Sequence, residues 1–242
     1  MNQTIAQLKD RKSVRVFTDQ PIPQEAVTAI LESAVNAPTA GNQQLYTIIQ
    51  VTRQDLKERL AESCDHQPFI AQAPLVLVFC ADCRKWYEAF RAAGCEPRKP
   101  GVGDLLLAVS DTNIAAQNAV VAAHSLGIGS CYIGDIMENA EVQREILSLP
   151  QYVFPAAMLV FGYPTAQQME RPKPPRSPME YIVHENGYRD MDKEELKQML
   201  SVKTGQRSFE EWIQAFCDRK YNSDFSREMT RSVQVFLEDF RA

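Results

Sequence analysis

The 242-residue sequence lacks long apolar runs, basic clusters and a secretory leader pattern. No apolar run approaches the roughly 18 residues of a membrane-spanning helix, which argues against a membrane protein. The 26 basic and 31 acidic residues give a formal net charge of −5, so neither nucleic acid nor an anionic membrane is favoured as a partner. The first residues, Met1 to Thr4, contain no charged region followed by an apolar core. We therefore expect a soluble, cytoplasmic protein.

The sequence is also poor in the residue patterns that bind metals. Its three histidines lie far apart in sequence, and its six cysteines lack the spacing of a disulfide framework. Cys80 and Cys83 have the two-residue gap of a zinc or redox pair, but no second Cys or His pair stands at ligand spacing. We therefore predict reduced, structural thiols and no metal site.

What the sequence does contain is a large apolar fraction, 45%, divided between short strand-like segments and longer helical ones. The predicted strands are Tyr46–Val51, Leu75–Cys80, Gly129–Ile133 and Ala157–Gly162. The longest predicted helix, Asp104–Leu126, is rich in alanine and apolar on nearly every face, which is typical of a helix in a core or a subunit interface. The alternation predicts an α/β (α+β) protein whose sheet is layered with helices.

Beyond Tyr163 the composition changes to a proline-rich segment, typical of an extended arm that lies along a surface. This arm contains the basic residues Arg171, Lys173 and Arg176. Three more helices are predicted after it, at Asp192–Val202, Ser208–Phe216 and Asp224–Phe240. Their apolar faces need cover, so we expect them to pack on the body or on a partner subunit.

A short basic segment near the N-terminus is the clearest candidate for a binding site. Val14, Val16 and Phe17 favour an extended chain, in which alternate side chains share a face. Val14 and Val16 would then point into the protein, and Arg11, Ser13 and Arg15 would share the other face. Two guanidinium groups that flank a hydroxyl suit a phosphate dianion. A solvated basic turn is the alternative that this segment alone leaves open.

These motifs, taken together and in order, resemble the FMN-dependent nitroreductase superfamily. The resemblance covers residues 4 to about 190 and is nearest to the branch of oxygen-insensitive nitroreductases and NADPH-dependent flavin reductases. It is carried by Arg11 to Arg15, Thr18-Asp19, Pro38 to Gln44, Phe79 to Asp82, Asp111 to Asn113, Ala116 to Ala119, Tyr132 to Gly134, Phe161 to Pro164 and Val183 to Asn186. The order and spacing of these motifs are more specific than any one of them.

The resemblance implies a mixed, mainly antiparallel sheet flanked by helices, with an extended C-terminal arm. It implies an FMN-binding domain over residues 1–190, and we assign residues 191–242 to a C-terminal helical extension. It further implies a homodimer, with the long helix at the interface and flavin sites between the subunits.

The resemblance also implies which residues surround FMN. Those expected on the phosphate and ribityl chain are Arg11, Lys12, Ser13, Arg15 and Arg176. Those expected on or near the isoalloxazine ring are Thr39, Asn42, Gln67, Ile133 and Gly134. Among these, Gln67 matches a glutamine that bonds the pyrimidine side of the ring, and Ile133 and Gly134 match a segment that crosses the ring near its reactive nitrogen.

Two positions depart from the family pattern. Paired glycines are expected after Ile133, but the sequence has Gly134 followed by Asp135. This places a carboxylate near the flavin, or in an ordinary position at the start of the next helix. The expected Lys-Pro-Arg of the arm is Lys173-Pro174-Pro175-Arg176, so Arg176 aligns and Lys173 is displaced by one residue.

The implied activity is transfer of two electrons from NADPH or NADH, through FMN, to a small-molecule acceptor such as a nitroaromatic, a quinone or a free flavin. The nearest branch favours NADPH. The sequence leaves two alternatives open: a related FMN enzyme for reductive dehalogenation or azo reduction, and a flavin-binding protein without turnover. Sites rather than folds decide among these.

Overall fold

The structure is a computed structural model that describes residues 2–241. The described residues form four strands and eleven α-helices. The strands are β1 Tyr46–Gln50, β2 Leu75–Asp82, β3 Gly129–Ile133 and β4 Val153–Gly162. The helices are α1 Gln3–Asp10, α2 Gln24–Val35, α3 Gln54–Ser63, α4 Pro68–Gln72, α5 Arg84–Ala92, α6 Val102–Ser125, α7 Ala140–Leu147, α8 Ala166–Glu170, α9 Lys193–Thr204, α10 Phe209–Lys220 and α11 Asp224–Leu237. Short 3-10 turns lie at Ala40–Asn42, Gly134–Met137, Met179–Tyr181 and Glu238–Phe240.

The strands form one sheet in the order β1-β2-β4-β3, and each neighbouring pair is antiparallel. Every residue of the two central strands, β2 and β4, is buried, which explains why both read as unbroken apolar runs. The sheet confirms the predicted α+β class and places β3 at one edge. That edge matters because the N-terminal basic segment lies along it.

Each face of the sheet is covered by helices. On one face, Ile30 of α2 and the alanines of α6 pack against the odd-numbered residues of β2, such as Leu77. On the other face, Leu60 of α3 packs together with Phe236 and Phe240 near the C-terminus. The last helical residues of the chain therefore belong to the main core, as their apolar pattern required.

Helix α6 has nearly its predicted length and is more apolar than expected from the sequence. By length and composition alone it passes as a membrane span, over a window of mean hydropathy 1.2. Of that window 44% is buried inside the chain, and the helix packs against α2 and the sheet, as the core helix of a soluble protein does. Its remaining side includes the exposed apolar residues Leu106, Leu107 and Ile114.

The chain divides into two compact units. The first runs to Arg171 and resumes at Glu228, and it contains the sheet. The second is Pro172–Arg227 and contains α9 and α10. Within it, α10 begins with a capping box: the Ser208 hydroxyl oxygen accepts from the Glu211 backbone N–H at 3.2 Å, and the Glu211 carboxylate accepts from the Ser208 N–H.

Two local expectations from the sequence were wrong. The pattern of Thr52 and Asp55 predicts a capping box at the start of α3, but Arg53 is the residue before the helix and its side chain holds the Asp55 carboxylate instead. Val16 does not point into the protein, since it is 47% exposed, whereas Val14 is buried as expected. The alternation fails at Val16 because the segment leaves the edge of β3 and pairs next with Pro164 through Phe17.

Candidate cofactor site

The basic segment Arg11–Phe17, which we call the N-terminal strip, lies beside the edge strand β3. Ser13 pairs with Ser130 as a parallel bridge, and the Val14 N–H donates to the Ser130 carbonyl at 2.9 Å. At its end, Phe17 pairs with Pro164, which follows β4. The strip thus extends the sheet at the edge of β3 around Ser13 and Val14, before it turns towards Pro164.

Two glycines allow the strip to lie this close to the sheet. A Cβ on Gly129 would lie 2.6 Å from Cγ2 of Val14, and one on Gly162 would lie 2.6 Å from Cδ1 of Phe17. Neither distance is tolerable for a real side chain, so the positions of the buried Val14 and of Phe17 require glycine at these sites. These two close contacts set the distance between the strip, with its basic side chains, and β3.

We expect Gly129→Ala to displace Val14 and to destabilise the fold by about 1–3 kcal/mol, as overpacking in other cores does. Urea unfolding of the cofactor-free protein measures this. Gly187→Ala is the matched control, because a Cβ there meets no atom within 4 Å. Equal unfolding midpoints for the two variants would show that the strip moves freely against β3.

Three of the predicted residues converge on one buried thiol, Cys131 of β3. Burial raises the pKa of Cys131, while the charge of Arg15, a hydrogen bond from Ser13 and the charge of Arg11 act in the opposite direction. Arg11, Ser13 and Arg15 therefore all act on the same thiol of the edge strand. The Nη1 atom of Arg11 is buried and has no hydrogen-bond partner among the described residues. Such a donor is satisfied by an anion.

The fourth predicted residue, Lys12, is engaged elsewhere in the first unit. Its Nζ donates to the carbonyl oxygens of Met169 and Arg171, each at 2.5 Å. Arg171 in turn donates through Nη2 to the carbonyl oxygen of Ser13 at 2.7 Å. From the sequence, Arg171 is a basic residue of the arm without an assigned role, because no local sequence pattern connects it to Ser13, which lies 158 residues earlier.

At the far end of β3 lie the residues expected over the ring. Ile133 is buried and Gly134 is exposed at the start of a 3-10 turn that also contains Asp135. Gln67 lies near this turn, because its Nε2 donates to the Cys64 carbonyl at 2.8 Å and the charge of Asp135 acts on the Cys64 thiol. Burial, with Asp135 as a smaller cause, raises the pKa of Cys64 to about 12. Gln67, Gly134 and the strip therefore lie along one edge of the sheet.

Thr39 and Asn42 lie in a different place. Their loop is anchored to the buried Asp111 of α6: the Thr39 hydroxyl donates to its Oδ2, and the Ala40 N–H donates to its Oδ1 at 3.0 Å. The Gln44 N–H donates to the Thr39 hydroxyl oxygen at 2.7 Å, which closes the loop. Asn42 is exposed, with φ of 55°, a left-handed conformation that asparagine tolerates. Among residues 2–241, the hydrogen bonds of the Thr39 hydroxyl fix this loop.

The structure therefore separates the predicted residues into groups. Arg11, Ser13 and Arg15 are brought together on β3, with Gln67 and the 133–134 segment on the same edge. Thr39 and Asn42 are held apart from them on α6. Lys173 and Arg176 belong to the second unit, so their role remains a prediction.

Cys80 and Cys83 are buried free thiols. Burial, followed by the nearby Asp82 for Cys80 and by Asp104 and Asp82 for Cys83, raises the pKa of each to about 12. We expect iodoacetamide at pH 8 to label the exposed Cys95 first and to spare Cys80 and Cys83 until urea unfolds the chain. Mass spectrometry of the labelled peptides reads this out, and a Cys80→Ser/Cys83→Ser variant should keep its activity. Rapid labelling of Cys80 and Cys83 in the native protein would contradict this prediction and indicate a redox role for the pair.

Comparison with known proteins identifies the family. A model described as the nitroreductase family matches residues 8–163, more than half of the chain. The chain belongs to the nitroreductase family. Its family and its fold, both predicted from the sequence motifs, are thereby confirmed.

Individual relatives support the same assignment. The chain is 32% identical over 240 residues to an FMN reductase [NAD(P)H] of Bacillus subtilis, covering 98% of this chain and 92% of that protein. It is 37% identical over 193 residues to an oxygen-insensitive NADPH nitroreductase of Salmonella typhimurium, covering 79% and 77%. The solved structure of the Bacillus subtilis oxidoreductase YcnD matches with a TM-score of 0.84 at 30% identity, covering 98% of both chains. Nitroreductase-like similarity thus extends past residue 190, where the sequence motifs faded.

Proposed function

We propose that this nitroreductase-family protein is an FMN-dependent oxidoreductase that passes two electrons from NADPH or NADH to small organic acceptors such as nitroaromatics, quinones or flavins. The predictions of a flavin reductase, of an enzyme and of FMN with a nicotinamide co-substrate are confirmed at this level by the family and by the relatives named above. The physiological acceptor is not specified by the site.

One observation of the structure carries the cofactor assignment. The strip gathers positively charged side chains at one sheet edge, and no carboxylate among residues 2–241 forms an ion pair with Arg11, Lys12 or Arg15. A buried guanidinium donor without an acceptor, as at Arg11 Nη1, costs about 1–3 kcal/mol. A phosphate group would remove that cost, and the hydroxyl of Ser13 adds a donor between the two arginines. These residues therefore fit the phosphate end of FMN.

When bound, FMN would supply the redox chemistry, and this chain would supply binding, orientation and electrostatics. Arg11, Ser13 and Arg15 would hold the phosphate, while Gln67 and Gly134 stand along the same edge for the ring. Nothing in this arrangement recognises one functional group of an acceptor, which fits a broad choice of acceptors. The assignment of individual residues to atoms of FMN remains part of the proposal.

We further propose a homodimer, because one chain separates the residues expected around one flavin. Asp111 anchors the Thr39 loop, whereas His124, thirteen residues further along α6, lies 3.5 Å from Asp10 beside the strip. At 1.5 Å per residue those points are roughly 20 Å apart. A second copy packed on the exposed apolar side chains of α6 could present its own Thr39 loop to the first copy's strip. This supports a flavin site completed by both subunits, in a protein that we place in the cytoplasm.

The deciding experiment is the absorbance spectrum of the purified protein, followed by anaerobic addition of NADPH and NADH separately. We expect a flavin spectrum that is bleached by at least one nicotinamide and restored by a quinone or a nitroaromatic. A flavin that stays oxidised with both nicotinamides would instead support a flavin-binding protein without turnover. Comparison of haloaromatic and azo substrates separates the remaining alternatives.

Steady-state kinetics provide a further prediction. If donor and acceptor use the same face of the cofactor in turn, each must leave before the other enters, so double-reciprocal plots should be parallel. The initial rate is measured against NADPH at several fixed concentrations of one quinone. Lines that intersect would mean that both substrates are bound at once.

A further inference from the structure

We propose that Arg171, which lies outside the motifs of the family resemblance, binds the phosphate of FMN together with Arg11, and that Lys12 is the positioning residue that holds Arg171 in place. The inference rests on the proposed function and adds a residue to its binding site. It also gives Lys12 a different role from the one expected from the sequence.

The guanidinium of Arg171 lies against the strip with part of its donor capacity unused. Nη2 donates to the Ser13 carbonyl at 2.7 Å, while Nε is buried and has no hydrogen-bond partner among the described residues. Arg11 Nη1 is in the same condition. The strip residue Arg11 and Arg171, which is bonded to the strip at Ser13, thus each keep a buried guanidinium donor without an acceptor. A ligand with several anionic oxygens would match such a pair of donors.

Among the described residues, no carboxylate forms an ion pair with Arg11 or Arg171. The ion pairs of the described residues do not involve Arg171, and the acidic residue beside the strip, Asp10, pairs with His124. Guanidinium groups that are partly buried without a counter-ion are costly to keep in a fold. The Nε donor of Arg171 is buried without an acceptor, which is unfavourable in the protein alone and favours a ligand over a purely structural role.

Lys12 fixes the position of Arg171. Its Nζ donates to the carbonyls of Met169 and Arg171, at the C-terminal end of α8, where a cation is favourable. A second connection is made by Gln168, whose Oε1 accepts the Arg15 N–H at 3.3 Å. The strip and the end of α8 are therefore joined on both sides of Ser13, and Arg171 has little freedom to move away.

The test is the affinity of cofactor-free protein for FMN and for riboflavin, which lacks the phosphate, by quenching of flavin fluorescence. We expect Arg171→Gln to weaken FMN binding about tenfold or more and to leave riboflavin binding nearly unchanged. Glutamine keeps one amide donor for the Ser13 carbonyl, and Arg171→Lys should recover part of the FMN affinity. Arg53→Gln is the control, since Arg53 is 68% exposed and distant in sequence from the strip. Arg15→Ala is the reference for loss of a phosphate contact.

The outcomes separate this inference from the proposed function. Equal losses for FMN and riboflavin in Arg171→Gln would mean that Arg171 is structural, and an unchanged FMN affinity would mean that it does not touch the phosphate; either overturns the inference. Wild-type protein that does not bind FMN would overturn the proposed function itself.

Lys12→Met should reduce the preference for FMN over riboflavin by less than Arg171→Gln does. A larger effect from Lys12 would make the lysine, and not the arginine, the phosphate ligand. Urea unfolding of each variant confirms that it is folded.

Discussion

We expect a glutamate on the exposed side of α6 to separate the subunits and to release FMN while the chain stays folded. Leu106 is 63% exposed and Ile114 is 41% exposed, so Leu106→Glu and Ile114→Glu disturb little in a single chain. In a dimer that buries these two positions, each substitution would place an unpaired carboxylate in an apolar interface. A symmetric dimer would contain two such carboxylates, one from each subunit. Light scattering after size-exclusion chromatography, with the flavin absorbance of the same peak, measures both effects.

Val142→Glu on α7 is the matched control, because Val142 has the same exposure as Ile114, 41%, and does not lie on α6. It should leave the dimer and its flavin intact. Wild-type protein that is monomeric at micromolar concentration and still holds FMN would contradict the proposal of a shared site. A dimer that persists in both α6 variants would show that the interface lies on another surface.

The structure changes which residue of α6 should be used for this test. From the sequence, the alanine-rich face was the expected interface, and Ala119→Glu the natural disruption. Ala119 is fully buried in the chain's own core, in the same cluster as Ile30 and Leu77. Ala119→Glu should therefore unfold the chain, at a cost on the order of 4 kcal/mol or more, and would report nothing about the dimer. Helix composition alone does not separate a face buried by its own sheet from one buried by a partner.

Local patterns predicted most of the elements. The strand at Gly129–Ile133 was predicted with its observed bounds, because a glycine follows the preceding helix at Gly127 and apolar residues follow at once. The predicted last strand began at Ala157, four residues after its observed start at Val153. Pro155 lies between these two residues, and a proline is unusual in a central strand. The structure accommodates Pro155 at a register irregularity opposite Cys80, where the ladder shifts.

The candidate site was predictable only where it is local. Alternation placed Arg11, Ser13 and Arg15 on one face, and the structure brings these three together around Cys131. The contacts that fix Lys12 and Arg171 join residues more than 150 positions apart, and no periodicity encodes them. The separation of the Thr39 loop from the strip could not be predicted from the sequence either, because it depends on the points along α6 that the loop and the strip contact.

The second large effect is expected at Glu138, a carboxyl that the chain buries without pairing. Glu138 is 5% exposed, and its Oε1 has no hydrogen-bond partner among the described residues. Burial raises its pKa from 4.5 to about 7, and the carboxylates of Asp135, Asp65 and Glu228 act in the same direction. The folded chain therefore favours the protonated, neutral form of Glu138.

The sign of the pH dependence follows from that shift. Because the pKa is higher in the folded state than the 4.5 of the unfolded chain, the stabilising contribution is fully present below about pH 4.5. It is lost progressively as the pH rises through about 7. At 1.36 kcal/mol per pH unit between those values, the loss by pH 9 is on the order of 3 kcal/mol. Glu138→Gln removes the ionisation and keeps a similar shape, so the variant should lose less stability than the wild type between pH 5.5 and 9.

Urea unfolding of the cofactor-free protein at pH 5.5 and pH 9 measures this difference, and Glu141→Gln on the next helix is its control. Hydrogen bonds from Arg231 are the main cause that lowers the pKa of Glu141, to about 2, so that carboxylate is ionised at both pH values. Its stabilising contribution is present above pH 4.5 and is lost only as the pH falls towards 2. Glu141→Gln should therefore lower stability to a similar small extent at both pH values, leaving the slope of the wild type unchanged. If Glu138→Gln also follows that slope, the buried carboxyl is not the group that titrates, and its charge is compensated in the folded chain.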